Sequence, residues 1–405
     1  MATDKMSINE RLAYLRVMQE RYLKANRKDK AALLSQMEDV CGYHRKYLIA
    51  RMNSPDLSRH KRRRERSRTY GMEVEEAVRL VADALDWICA ERLQPCLARM
   101  AQHLARHDHL TLTPELLAQL EKISVSTVRR ILQRSARPAG ALPHVRRGRR
   151  PDLAVQSLVP VHVIPWQEPE PGHFEADLVH HRSAPDQEGP FVCTLNLVDI
   201  LTGWSERFAI LGYESATLWK ALQAFKERCP IPVREVHCDN GPEFLNYALI
   251  SQFGAQMQES QLTRGRPGFK NDNRFVEQKN SSIIRAYLGR LALHTAEQRA
   301  LLDQIYLNMG CYYNLFQPVL RQTSRQIARG SDGVCRIVRT QDRAATPLER
   351  LLRAKPPLPQ ELAERLLALY HDTDPLALKR LIHRQLGELA RLAQQDEGRE
   401  VITFR

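Results

Sequence analysis

The chain has 405 residues and a formal charge of +14, from 61 Lys and Arg against 47 Asp and Glu. That length allows several domains with their own cores, and the basic excess favours a polyanionic partner over an acidic or membrane-buried role. No stretch approaches the ~18 apolar residues a bilayer crossing needs, and the opening MATDKMSINERLAYL is charged and amphipathic without the apolar core of a signal peptide, so a cytoplasmic protein is expected.

The charge is unevenly placed. Residues 1–150 hold 31 Lys and Arg against 17 Asp and Glu, a net +14, and the remainder holds 30 against 30. The N-terminal part is therefore expected to grip DNA. Two short-helix pairs lie in it. In 30–52, KAALLSQMEDV ends near Gly42, and YHRKYLIARM then presents His44, Arg45, Lys46 and Arg51. In 113–135, Thr113 can cap PELLAQLEK, and Ser124 or Ser126 can cap VSTVRRILQRS, which carries Arg129, Arg130 and Arg134. Both have the layout of a helix-turn-helix with a basic second helix for a major groove. The runs RHKRRRERSR (59–68), with Arg62, Arg63 and Arg64, and RRGRRP (146–151), with Arg146, Arg147, Arg149 and Arg150, read as basic linkers touching DNA phosphates.

From about residue 161 the pattern turns to strands: HFEADLVHH, FVCTLNLVDI and WSERFAIL. A helix follows over 214–229, then a strand at VREVHC, a helix after Phe244, a brief strand near 255–259, and a long helix from about 273 to 293. This predicts a mixed α/β domain with a five-stranded sheet. After about 317 come short β-like patches (GVCRIVRT), and beyond Pro347 a helical tail with regular Leu spacing. The expected divisions are 1–58 and 71–137 as helix-turn-helix domains, 59–70 and 138–160 as basic linkers, 161–300 as a catalytic core, and 301–405 as a small β/helical C-terminal part.

Three carboxylates stand out. Asp177 lies in mid-strand, on one face with Glu175 and Val179, where a carboxylate is costly unless it is paired or binds a metal. Asp239 follows a strand in HCDNGPEF, where Asn-Gly forces a sharp turn at the strand's C-terminal end. Glu277 sits on the helix in NDNRFVEQKN, with Asn273 and Ser281 one turn to either side. Hard carboxylate oxygens suit Mg²⁺ or Mn²⁺. Two such ions ~3.5–4 Å apart activate an attacking oxygen and neutralise a leaving one in phosphodiester displacement. Glu243 reads first as a helix-start carboxylate, and Asn240 as a substrate neighbour. Arg264, Arg266, Lys270, Arg274 and Lys279 cluster around a glycine-containing loop (TRGRPGFKND), where DNA phosphates beside the site are their expected partners.

The ordered segments FEADLV, HCDNGPEFLN and NDNRFVEQKN resemble the integrase core of bacterial insertion-sequence transposases and retroviral integrases. The gap of 37 residues between Asp239 and Glu277 is close to that family's spacing. The resemblance covers about 165–295. It implies a ribonuclease H-like fold, Asp177, Asp239 and Glu277 as the catalytic and metal-binding triad, and Mg²⁺- or Mn²⁺-dependent cleavage followed by strand transfer, using two ions. It further implies transposon ends and target DNA as partners, and homo-oligomers on DNA. A ribonuclease H-like nuclease that only hydrolyses, and a non-catalytic DNA-binding regulator, are the alternatives. The zinc module that opens the retroviral members cannot be built here: the eight cysteines are scattered, and Cys41/His44, Cys89/Cys96 and the histidines His103, His107 and His109 make no two-plus-two ligand set with the usual spacing.

Overall fold

The computed structural model describes residues 6–57, 69–135, 170–182, 190–266, 272–329 and 335–397. The chain forms two compact units, Met1–Thr69 and Tyr70–Arg405.

The first unit contains three helices, α1 (Ile8–Lys24), α2 (Arg27–Cys41) and α3 (Arg45–Met52). Their starts are set by side chains that take orphan amides. Ser7 and Glu10 form a capping box on α1, and Asn26 accepts from Lys28 and Asp29 on α2. Gly42 ends α2 in the left-handed region (φ 65°), which lets α3 turn back on its partner. Leu15, Met18, Leu34, Met37, Leu48 and Met52 close the core.

The second unit begins with α4 (Met72–Ala84), α5 (Ala90–Leu93), α6 (Leu97–Arg106), α7 (Pro114–Lys122) and α8 (Val125–Arg134). Thr113 caps α7 and Ser124 caps α8, each side chain accepting a backbone N–H. A five-stranded mixed sheet follows, from β1 (His173–His181), β2 (Val192–Asp199), β3 (Ser205–Leu211), β4 (Glu235–Cys238) and β5 (Gln261–Arg264), in the order β3-β2-β1-β4-β5. β1, β2 and β3 are antiparallel neighbours, while β4 runs parallel to β1 and to β5. This is the five-stranded mixed sheet expected from the sequence.

Strand alternation gives the sheet two different faces. Phe174, Ala176, Leu195, Leu197, Phe208, Ile210 and Val236 join the buried residues of α9 (Ser215–Arg228) and α10 (Tyr247–Gln256) in one apolar core. The opposite face carries Glu175, Asp177, Asn196 and Arg207 beside Val179 and Ala209. It packs on α11 (Arg274–Lys279), a π-turn (Asn280–Ile284), α12 (Arg285–Leu288) and α13 (Ala296–Leu315). The single long helix expected over 273–293 is thus broken, and the expected strand near 255–259 falls five to six residues later, because Asn246 caps a helix that runs through Gln256. The expected core boundary at 300 falls inside α13, whose Tyr306 and Asp303 hydrogen-bond to Thr194 and to the Ala209 amide on the sheet.

A hairpin of β6 (Gln322–Arg329) and β7 (Cys335–Gln341) leads to α14 (Pro347–Arg353), α15 (Gln360–Asp372) and α16 (Pro375–Glu397). These C-terminal elements tie back to α4–α6: Lys379 Nζ donates to the Asp83 carbonyl, His103 Nε2 meets the Thr373 carbonyl, and Arg99 pairs with Glu349. Among the described residues no helix is long and apolar enough to cross a membrane.

Candidate active site

The parallel pairing of β1 with β4 ends at Ala176 opposite Cys238, so Asp177 and Asp239 are the next residues of the two strands, where β4 ends against the middle of β1 in the interior of the sheet. Asp239 Oδ1 accepts the Gly241 amide (2.9 Å). A Cβ at Gly241 would stand 2.8 Å from Asp239 Oδ1 and 2.8 Å from the Glu243 carboxylate. Glycine is what lets these two acids share the turn. Glu243 therefore belongs to this turn rather than to a helix start, since α10 begins only after its cap Asn246. Its Oε1 lies 4.0 Å from His180 Nε2.

Asp177 is held by two donors. Its Oδ1 accepts the Leu178 amide (2.8 Å), and its Oδ2 accepts Asn280 Nδ2 (2.6 Å). The Asn280 oxygen in turn accepts from Asn196 Nδ2 (2.7 Å), the residue paired with Asp177 across the sheet. Asn280 reaches both because the π-turn adds a residue to the helical register after Glu277, a distortion frequent at functional sites.

Glu277, exposed on α11, is anchored through that helix's first turn. Glu175, wholly buried, accepts the amides of Phe275 (2.6 Å) and Val276 (2.9 Å) on one oxygen. The Asn273 amide oxygen, in the orientation that satisfies both its ends, accepts the Asp239 amide (2.9 Å). The helix carrying the third carboxylate is thereby stapled to the strands carrying the other two.

The electrostatics record this crowding. Burial, then the charge of Asp239, with smaller contributions from Glu277 and Glu243, pushes Asp177 up to about 8. Burial raises Asp239, and burial with the Asp239 charge raises Glu243. Glu175 rises to about 7, chiefly through burial, against the pull of the helix amides and Arg274. Asp177 thus feels the charges of Asp239, Glu277 and Glu243, and Glu243 that of Asp239.

The donor set is all hard oxygen, which fits Mg²⁺ or Mn²⁺ and not a soft metal. Among the described residues no three His, Cys, Asp or Glu side chains stand close enough to enclose an ion by themselves. A cation here would hold two or three carboxylates with water and substrate oxygens, the usual incomplete protein shell of Mg²⁺.

No family model matches the chain. Protein y4rM of Sinorhizobium fredii (strain NBRC 101917 / NGR234), an uncharacterized protein, is 35% identical over 328 residues, covering 80% of this chain and 92% of its own length. The chain belongs to the y4rM family. Among solved structures, the catalytic core domain of BIV integrase is similar over 34% of this chain and 83% of its own, at 19% identity and a TM-score of 0.25.

The basic residues expected on DNA are differently placed in this y4rM-family chain. Lys46 and Arg130 are exposed, the latter bonded to Ser126 and Thr127 of its own helix. Arg45 reaches Ser35, the Ala31 carbonyl and Glu38 on α2, and Arg129 pairs with Glu91. Arg266 grips Asp272 through Nε (3.0 Å) and Nη2 (2.9 Å). Arg274 is half-buried over the Phe275 ring. Lys279 is half-buried, and burial, with the charges of Arg207, Arg92 and Arg321, pulls its ammonium down to about 7. Asn240, expected near substrate, donates to the Gly265 carbonyl and accepts from Arg264. Arg62, Arg63, Arg64, Arg146, Arg147, Arg149, Arg150 and Lys270 lie outside the described residues.

Glu175 and Asn280 were not singled out from sequence as site residues. Glu175 shares a strand face with Asp177, which is a usable signal. Asn280 opens Asn-Ser-Ser, three weak helix formers in mid-helix, which marks a break without saying what it serves.

Proposed function

We propose that the chain is a metal-dependent DNA transposase that cleaves a phosphodiester and joins the freed 3′-hydroxyl to a second duplex. The observation that carries this reading is the placement of Asp177 and Asp239 on adjacent interior strands, with Glu277 on the helix packed over them and its charge felt at Asp177, each on an element braced by a dedicated hydrogen bond. Asp177, Asp239 and Glu277 would hold Mg²⁺ or Mn²⁺. When bound, such ions supply charge neutralisation at the attacking and leaving oxygens.

The chain's own residues have separable tasks in this scheme. Asn280 fixes the rotamer of Asp177 and leaves its remaining lone pairs for a ligand. Glu175 holds α11 in place without touching the reacting atoms, and Gly241 keeps Asp239 and Glu243 within reach of each other. Exposed Lys46 and Arg130 on the short basic helices are candidates for holding the DNA, with homo-oligomers pairing two ends.

The test is strand transfer. Full-length protein is incubated with pre-cut candidate end DNA, a supercoiled plasmid and Mg²⁺, beside Asp239→Asn. Joined product from the wild type alone is expected. Nicking without joining assigns a nuclease instead, and tight binding with no chemistry from either protein, across several end sequences, assigns a DNA-binding regulator.

A further inference from the structure

Past Asp177, the end of β1 carries a cluster of three rings with one of them open to solvent. His180 and Phe191 have centroids 5.4 Å apart, His180 and Tyr213 5.6 Å, and Phe191 and Tyr213 5.7 Å, so the three form a closed triangle. The Tyr213 ring lies nearly parallel to His180, at 16°. Phe191 is buried and His180 half-buried, whereas Tyr213 is 46% exposed. Its position is fixed from both sides. The Gly212 amide donates to the Phe191 carbonyl (2.9 Å), and Ser215 Oγ donates to Asn246 Oδ1 (2.7 Å), the cap of α10.

The cluster adjoins the candidate site. His180 Nε2 stands 4.0 Å from Glu243 Oε1, and Glu243 shares the Gly241 turn with Asp239. The surroundings limit what the open ring accepts. Arg182, its guanidinium carbon 5.4 Å from the Phe191 centroid, forms no ion pair among the described residues and brings positive charge to the rim. Glu214, exposed next to Tyr213, and Glu243 set two carboxylates there. They repel a phosphate laid on the rings but not a neutral planar group. A nucleobase is such a group. It stacks on an aromatic ring whatever its identity, and it reaches one once it is out of the duplex stack.

We propose that Tyr213, backed by His180 and Phe191, is a stacking platform for an unpaired DNA base beside the candidate active site. The inference rests on the DNA-processing reading of that site and adds the class of DNA it takes: a duplex with an unpaired nucleotide at its end, in preference to a fully paired one.

The test is binding by the full-length chain without divalent metal, so that no strand is cut. One duplex is blunt; the others are identical except for a short overhang, 3′ or 5′, that carries the fluorescent base 2-aminopurine. The wild type is expected to favour an overhang over the blunt end by about 5–150-fold, the size of one base–aromatic stack, and to quench the 2-aminopurine. Tyr213→Leu, which keeps an apolar cover on His180 and Phe191, should lose both effects, and Tyr213→Trp should keep them, with blunt-duplex affinity equal in all three proteins. Equal binding of blunt and overhang duplexes by the wild type, or a preference that survives in Tyr213→Leu, overturns the proposal. The strand-transfer reading fails separately. A chain that joins no DNA yet shows the Tyr213-dependent preference keeps the platform and loses the transposase, and one that joins DNA without that preference does the reverse.

Discussion

Asn280 donates a 2.6 Å hydrogen bond to Asp177, across 103 residues of sequence, from a π-turn that exists only because the helix gains a residue after Glu277. The bond orients a carboxylate proposed to hold metal without itself supplying a charge. Removing such a supporting partner costs about 10–100-fold in metal affinity. Asn280→Ala is therefore expected to raise the Mg²⁺ concentration for half-maximal strand transfer by about that factor, with maximal rate partly recovered at high Mg²⁺. An unchanged Mg²⁺ profile would remove Asn280 from the site.

Gly241→Ala probes the turn between Asp239 and Glu243. The added Cβ meets both carboxylates at 2.8 Å, so one of them must move. A displacement on the order of 1 Å at reacting groups can cost about 100-fold. Strand transfer is expected to fall by about that much while the melting temperature changes by only a few degrees, read by single-turnover joining and circular dichroism.

Glu175 stabilises through two amides of α11. Glu175→Ala leaves both without an acceptor in a buried place, at about 1–3 kcal/mol each. Glu175→Gln keeps an acceptor oxygen and should lose far less. Urea unfolding of the two variants is expected to separate them clearly; equal losses would mean that the carboxylate's charge, not its acceptor oxygen, is what the helix uses.

The buried histidines set an acid limit. His181 is pulled down to about 3 by burial, with Arg285 and His180 adding to it, and sits neutral against Thr194 Oγ1 (2.7 Å). A base depressed in the folded state binds fewer protons than the unfolded chain does. Its contribution is whole above about 6.5 and is lost as pH falls toward 3. Roughly 3–5 kcal/mol is at stake from this group. His181→Gln should flatten that part of the stability–pH curve in chemical denaturation; an unaltered curve would shift the acid limit to other groups.

Much of this fold was legible because local chemistry carried it. Gly42, Thr113 and Ser124 end or start their helices as their types require, and alternation in HFEADLVHH puts Asp177 and Glu175 on one face. What was not legible depends on distant partners. The partial burial of Lys279, near Arg92, Arg207 and Arg321 from three other segments, is not announced by its own surroundings in the sequence. Glu175 becomes a helix cap only through residues a hundred positions away. The twenty-residue α13 went unmarked between two stronger patterns, although Thr295 and Gln298 form a capping box at its start.

The ties from Lys379 to Asp83 and from His103 to Thr373 have a consequence for biosynthesis. Leu366 and Leu376 sit in the same core as Val78 and Leu104, so α4–α8 cannot finish burying their apolar faces until the last helices have been made. On the ribosome these early helices emerge with part of their core uncovered. The second unit then acquires its full stability in a late step, when α15 and α16 dock, and a nascent chain stopped before residue 360 would expose that surface to chaperones and proteases.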